Sequence, residues 1–238
     1  MRCSYYEDEL CFSCTDLALP YSLALEEKFK RTKNLLGEIE TDAWISPFAS
    51  VEQGFRNKAK MVVGQGPEGI RLGILDANKR VVDLASCPLY DETMRDYLHR
   101  LKAVVTVLGL RPYDVQRRRG ELKNILITQS PSGRFMLRFV LASTGPVGRI
   151  RKMCAQIIRN LPETEVLSTN ILPIHVALPE GDQEFILSSE KMLRMPVGQV
   201  PLYLQPGGFF QTNSAVAAGL YSTAATWVAQ ALEESGGD

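Results

Sequence analysis

Four of the five cysteines in this 238-residue chain form a pattern that, if they act together, fastens the first residues to a point far along the backbone. Cys3, Cys11 and Cys14 read C-x7-C-x2-C, and Cys87 follows after a long interval with Pro88 beside it. A C-x2-C pair lets two thiolates from one turn reach one metal centre, and four thiolates complete a tetrahedral or cubane set. Three close ligands plus a distant one next to proline fit an iron–sulfur cluster better than zinc, whose sites come mostly as two close pairs. The bland alternative on spacing alone is a set of small buried residues. Cys154 stands apart: it falls on the apolar side of a predicted helix with Ile150, Ile157 and Ile158, and reads as a core thiol.

The rest of the chain permits that chemistry. Met1 to Leu19 carries Glu7, Asp8, Glu9 and Asp16 and has no continuous apolar stretch, so it does not read as a signal peptide. The apolar run Phe135 to Ala142 is broken by Arg138 and falls short of a membrane span. A cytoplasmic protein is expected, and there clustered cysteines suggest metal or catalysis rather than disulfides. With 45% hydrophobic residues the chain can bury a core without covalent staples. Lys plus Arg and Asp plus Glu both number 27, so any attraction for a polyanion must come from local clustering of charge.

Periodicity predicts an amphipathic helix over Ser22 to Ile39, with Leu23, Leu25, Phe29, Leu35, Leu36 and Ile39 as its apolar face. Phe55 to Val63 alternates like a strand; Gly64 to Gly69 reads as a hairpin loop before Ile70 to Leu75, and Lys79 to Leu84 as a short strand running into Cys87. A helix is predicted from Asp91 to Leu108 with Gly109 as its C-cap. Leu122 to Gln129 and Arg134 to Ser143 flank a turn at Ser130 to Gly133, and Val147 to Leu161 looks like one helix stopped by Pro162. Three or four short strands are expected between Glu165 and Leu204, then a break at Pro206 to Gly208 and a last helix, Ser214 to Glu234, capped by Asn213. Hairpins mixed with helices favour an α+β fold with a mixed or antiparallel sheet and flanking helices.

Two further features bear on function. Arg56, Lys58 and Lys60 are predicted on one strand face, where three like charges repel unless an anion or acidic neighbours compensate. Arg117, Arg118, Arg119 and Lys123 form a second basic cluster, and Arg149, Arg151 and Lys152 a third. Such clusters in a net-neutral chain fit a phosphate-tracking face, with solvated loops as the plain alternative. The segment LQPGGFFQTN, Leu204 to Asn213, offers stacking surface beside amide groups. It suits a nucleobase, an adenosyl cofactor or simply a packed loop.

Taken together these segments resemble the bacterial RNA uracil-5-methyltransferase family, in the iron–sulfur branch that acts on large-subunit ribosomal RNA. The resemblance rests on the C-x7-C-x2-C start, EQGFRNKAKMVV (Glu52 to Val63), CPLY (Cys87 to Tyr90), RRRGELKNILIT (Arg117 to Thr128), MLRFVL (Met136 to Leu141) and FFQTN (Phe209 to Asn213), in that order. The early first cysteine is similar to the shorter subgroup, which modifies a uracil in a 23S ribosomal RNA hairpin. The resemblance implies that Cys3, Cys11, Cys14 and Cys87 ligate a structural 4Fe-4S cluster. It implies that Gln211 contacts S-adenosylmethionine, and that Arg56, Lys58, Lys60, Arg117, Arg118, Arg119 and Lys123 face RNA. Family chemistry joins a cysteine thiolate to carbon-6 of uracil, methylates carbon-5, and then removes the carbon-5 proton with a base.

The resemblance also implies what to expect of the ends. In the family the helix after FFQTN leads into a Rossmann-like domain with a glycine-rich cofactor turn, a nucleophilic cysteine and a base. None of these is legible here, and Cys154 does not match the nucleophile's motif. The expected organisation is an iron–sulfur and RNA-binding domain over 1–200, with the cluster held from 1–14 and 87, and the start of a truncated methyltransferase domain over 201–238. Alone, such a chain is expected to be inactive, its catalytic domain missing or separately encoded. The other readings are a non-catalytic iron–sulfur RNA-binding module and a folded remnant without ligands.

Overall fold

Burial alternates along the first strand and becomes continuous in the central ones, so the middle of the sheet is covered on both faces. The computed structural model describes residues 1–37 and 44–236. Its main sheet is built from β1 (Lys58–Gly66), β2 (Gly69–Leu75), β3 (Val81–Asp83), β4 (Leu122–Gln129), β5 (Phe135–Leu141), β6 (Thr164–Ile171) and β7 (Gln183–Ile186). The spatial order is β3-β2-β1-β4-β5-β6-β7. Every neighbouring pair is antiparallel except β5 and β6. A parallel pair cannot be joined by a tight turn; here the crossover runs through α4 (Val147–Lys152) and α5 (Cys154–Asn160). This is the mixed α+β sheet that the sequence predicts.

One face of the sheet is apolar and covered. Ala59, Met61, Val63, Ile125, Ile127, Phe135, Leu137 and Phe139 alternate inward and meet Met94, Tyr97, Leu98, Leu101 and Val105 of α3 (Glu92–Leu108). Each fully buried aliphatic side chain contributes about 1.5–3 kcal/mol. Tyr97 stacks on Phe135 at 4.1 Å and 12°, and its hydroxyl shares a 2.8 Å hydrogen bond with Thr164 Oγ1. Asp91 caps the helix, its Oδ1 accepting from the Met94 backbone N–H at 2.7 Å. Gly109 ends it in the left-handed region at φ 59°, where a glycine costs least.

The opposite face is set by register. Lys60 pairs with Leu126, Leu126 with Arg138, and Arg138 with Ser168, so these four stand in one row. The next row holds Val62, Asn124, Val140, Asn170 and Glu184. Residues 172–182, between β6 and β7, cross this face as a strap. A small second sheet of β8 (Leu193–Val197) and β9 (Val200–Leu204) packs with Met136, Val166 and Phe210 in its own apolar cluster. From Asn213 the chain enters α6 (Ser214–Glu234), whose N-cap is the one predicted. Ahead of the sheet lie the single turn α1 (Ser4–Glu7) and α2 (Tyr21–Leu36).

Several boundaries differ from the sequence expectations. The predicted helix over Val147 to Leu161 is two helices interrupted at Met153. β1 starts at Lys58 and runs to Gly66, leaving Pro67 and Glu68 as the turn. The apolar face expected of α2 is not buried: Leu23, Leu35 and Leu36 are exposed, and Ile39 lies outside the described residues. The expected division between 200 and 201 falls after the first residue of β9.

Candidate functional site

The fold brings Cys87 to the three early cysteines. β3 ends at Asp83, and a turn closed by the Tyr90 N–H donating to the Cys87 carbonyl at 3.1 Å presents this thiol at the sheet edge. α1 reverses the chain between Cys3 and Cys11, and Tyr5, Cys11 and Cys87 all pack against the main core. Burial first, then Cys11 and Cys3, push the Cys14 thiol up; Arg56 acts the other way. Burial likewise pushes Cys87 up, and Cys14, Cys3 and Cys11 add to it, against a hydrogen bond from the Leu89 backbone. Cys14 and Cys87 therefore each feel the cysteines near the start of the chain, and none of the five is in a disulfide.

Among the described residues, no three His, Cys, Asp or Glu side chains converge tightly enough to hold a single metal ion. A single ion draws its ligands to bonding distance of one point, whereas a four-iron cluster takes its thiolates at the corners of a cube and spreads them apart. Cys3, Cys11, Cys14 and Cys87 have the donor chemistry that such a cluster takes.

Arg56 is not in the row with Lys58 and Lys60. It precedes β1, bridges to Asn213 in the backbone, and donates from Nε to the Lys58 carbonyl at 3.0 Å. Its charge sits beside Tyr90 and Cys14 instead: burial pushes the Tyr90 hydroxyl up to about 12, with Arg56 opposing. A guanidinium there favours thiolate over thiol. Lys58 and Lys60 do share the open face. Burial, then Lys60, push the Lys58 ammonium down, with Arg138 adding to the repulsion and Glu180 opposing.

The second basic cluster divides as well. Arg117, Arg118 and Arg119 are exposed on the hairpin that follows Asp114, with Arg118 at φ 52°. Lys123 is buried; its Nζ donates to the Ile174 carbonyl at 2.6 Å and lies 4.7 Å over the Tyr113 ring. It anchors the strap, which does not fit the direct phosphate contact expected of it. In the third cluster, Arg149 pairs with Glu121 at 2.8 Å.

The FFQTN segment splits its aromatics: Phe210 is 7% exposed in the second core, while Phe209 is 80% exposed. Its position is fixed by Asn57, which sequence reasoning missed. The Asn57 side-chain amide donates to the Gln211 carbonyl at 3.0 Å and to Ser214 Oγ at 2.8 Å, and its backbone N–H donates to Thr212 O at 2.9 Å. Gln211 is thus held by its backbone beside the start of β1. The one available signal was a polar residue between Arg56 and Lys58 at the mouth of a strand. Cys154, as expected, packs against the core and donates weakly to the Leu187 carbonyl at 3.6 Å.

A polar network was also missed. Arg138 makes a bidentate pair with Glu184 at 3.0 and 2.8 Å and contacts Glu180; Asn170 Nδ2 donates to Glu184 at 2.8 Å, and Ser168 donates to it too. Burial would raise Glu184, but hydrogen bonds from Arg138 and Ser168 outweigh it and hold the carboxyl below its ordinary range.

No protein-family profile matches the chain. It is similar to the 23S rRNA (uracil(747)-C(5))-methyltransferase RlmC of Photorhabdus laumondii, 41% identical over 229 residues, 96% of this chain and 61% of that protein. The enzyme of the same name from Serratia proteamaculans is 42% identical with the same coverage. That of Shigella flexneri is 42% identical over 231 residues, 97% of this chain and 62% of its own. Among solved structures, the Pyrococcus abyssi tRNA (uracil-54, C5)-methyltransferase in complex with S-adenosyl-L-homocysteine superposes with a TM-score of 0.68 at 22% identity. It covers 91% of this chain and 50% of that one, a likeness of fold. Over nearly all its length, then, the chain is similar to proteins named 23S rRNA (uracil(747)-C(5))-methyltransferase, and it spans about three fifths of their length.

Proposed function

We propose that this chain supplies the RNA-gripping and cluster-bearing part of a cytoplasmic, S-adenosylmethionine-dependent 23S rRNA (uracil-5-)-methyltransferase. The observation that carries this reading is the identity of about 42% with such enzymes over 96% of the chain. In support, Lys58 and Lys60 stand on one face of β1, Lys60 exposed, with the exposed arginines 117–119 nearby in sequence to β4.

Cys3, Cys11, Cys14 and Cys87 would hold a 4Fe-4S cluster. Such a group supplies a cross-link here, tying the first fourteen residues to the sheet edge. Arg56 offsets part of the negative charge of four thiolates. Asn57 fixes the backbone of Gln211, the residue proposed to touch the methyl donor, and links it to the strand that carries the RNA-facing lysines. The thiolate attack on carbon-6, the methyl transfer and the removal of the carbon-5 proton are assigned to the two fifths of the relatives' length that the chain does not span. These 238 residues alone are therefore expected to bind RNA without methylating it.

The test is fluorescence anisotropy with a labelled RNA hairpin carrying uracils in its loop, titrated from low to moderate salt. Affinity should fall steeply with salt, and Lys58→Ala, Lys60→Ala and Arg118→Ala should each reduce the slope by about 0.9 for every phosphate left unneutralised. Salt-insensitive binding, or none, would remove the RNA reading.

A further inference from the structure

We propose that the hollow beneath the 172–182 strap is a docking site for one unpaired base of the RNA, with Lys60 meeting the adjoining phosphate. This rests on the RNA reading above and adds a second point of recognition, on the sheet face and apart from the Gln211 segment.

The hollow has a volume of about 560 Å³, within the range of sites that enclose small planar ligands. Its floor is aliphatic, with Val62 and Leu126 from the sheet, and its roof is the strap residues Val176, Ala177 and Leu178. The roof is pinned at several points. Lys123 Nζ donates to the Ile174 carbonyl at 2.6 Å, and Asn124 Nδ2 donates to the Pro179 carbonyl at 3.0 Å. Asn170 exchanges hydrogen bonds with Gly181 at 2.9 and 2.7 Å. Tyr113 Oη bonds His175 Nδ1 at 3.2 Å. These pins hold the strap above the floor, so the apolar walls stay apart although closing them would remove apolar surface from water.

Charge selects the occupant. Lys60, Lys123 and His175 line the hollow, and no carboxylate does. Lys123 is committed to the strap, whereas Lys60 is exposed and has no ion pair among the described residues. His175 keeps Nε2 for a base edge, since its bond to Tyr113 uses Nδ1. An apolar slot with one aromatic ring, a free hydrogen-bonding nitrogen and a cation at its border matches a base with its phosphate. Lys58 continues the charge along β1, and Arg117 to Arg119 follow Val115, which also lines the hollow. A row of cations suits a polyanion better than the single head group of a fatty acid.

The experiment compares two fluorescein-labelled probes, octauridylate and an abasic ribose-phosphate strand of the same length, binding the full chain at low salt. Octauridylate should bind about tenfold tighter than the abasic strand. Leu178→Trp, or Ala177→Trp on the same exposed strap, should reduce octauridylate to the abasic level while abasic binding and the circular dichroism spectrum stay unchanged. An octaadenylate probe that gains from the hollow equally would mean that any base is accepted, which supports the site. Equal binding of the base-bearing and abasic strands overturns the pocket while leaving the RNA reading intact. Retention of the preference in both filled variants does the same, as does loss of it to a competing fatty acid. Failure of both strands to bind removes the RNA reading and the pocket with it.

Discussion

The sheet and the segment ahead of it differ in how much of themselves they bury. From Met1 to Gly37 no residue is buried, and Phe12, Leu23 and Leu35 stand in solvent. The sheet, in contrast, buries nearly all of one face against α3 and closes its polar remainder with Arg138 and Glu184. The early segment is held by few contacts, among them Tyr5 and Cys11 against the core, the N-terminal ammonium on Glu52, and Tyr21 Oη accepting from the Ser50 N–H at 2.7 Å. Where apolar burial is that scarce, the cluster proposed at Cys3, Cys11, Cys14 and Cys87 would be the main attachment of this segment. A small region that cannot build a core needs a staple, and a region with a core does not.

That contrast can be broken most sharply at Arg138. Arg138→Ala leaves Glu184 and Glu180 without their cation inside the sheet, and is expected to destabilise the fold by about 3–5 kcal/mol in urea denaturation. A loss below about 1 kcal/mol would mean that the sheet does not depend on this pair. Because Glu184 is held below its ordinary range, its contribution is present above the unfolded carboxylate value and lost as pH falls through the folded one. The acid arm of the stability profile should therefore flatten in Glu184→Gln.

A smaller effect is expected at Asn57. Asn57→Ala removes two side-chain hydrogen bonds and should cost about 1–3 kcal/mol, with faster hydrogen exchange in the first turn of α6 and little change in β4 or β5. Uniform loss of protection across the sheet would contradict a local positioning role. Smallest is the pH dependence of metal uptake. Burial and mutual repulsion hold Cys14 and Cys87 in the protonated form, so reconstitution with iron and sulfide should become faster as pH rises from about 7 towards 9. A flat profile would argue against deprotonation of these thiols as the controlling step.

Legibility in the sequence followed how local the deciding force was. β4 was predicted at its observed bounds because Leu122 to Gln129 carries its own signal, and Asn213 and Gly109 declared the helix ends by their chemistry. Met153 gave no such sign, although the helix breaks there. Arg56 reads like the third member of a charged strand face, yet its backbone bridges to Asn213 before β1 begins, and its charge sits beside Tyr90 and Cys14. Asn57, the Arg138 network and the hollow under the strap all join segments far apart in the chain, which no spacing rule reveals. Cys87 lies near enough to Cys14, Cys3 and Cys11 to be affected by their charge, yet no three of these side chains converge on one point among the described residues.

The most direct measurement is iron content and visible absorbance of the protein purified without oxygen, for the wild type, Cys87→Ser and Cys154→Ser. Four thiols sharing one cluster give a brown protein with about four irons per chain, lose that iron and colour in Cys87→Ser, and keep both in Cys154→Ser. A colourless wild type holding zinc, or two variants with the same iron content, would contradict it.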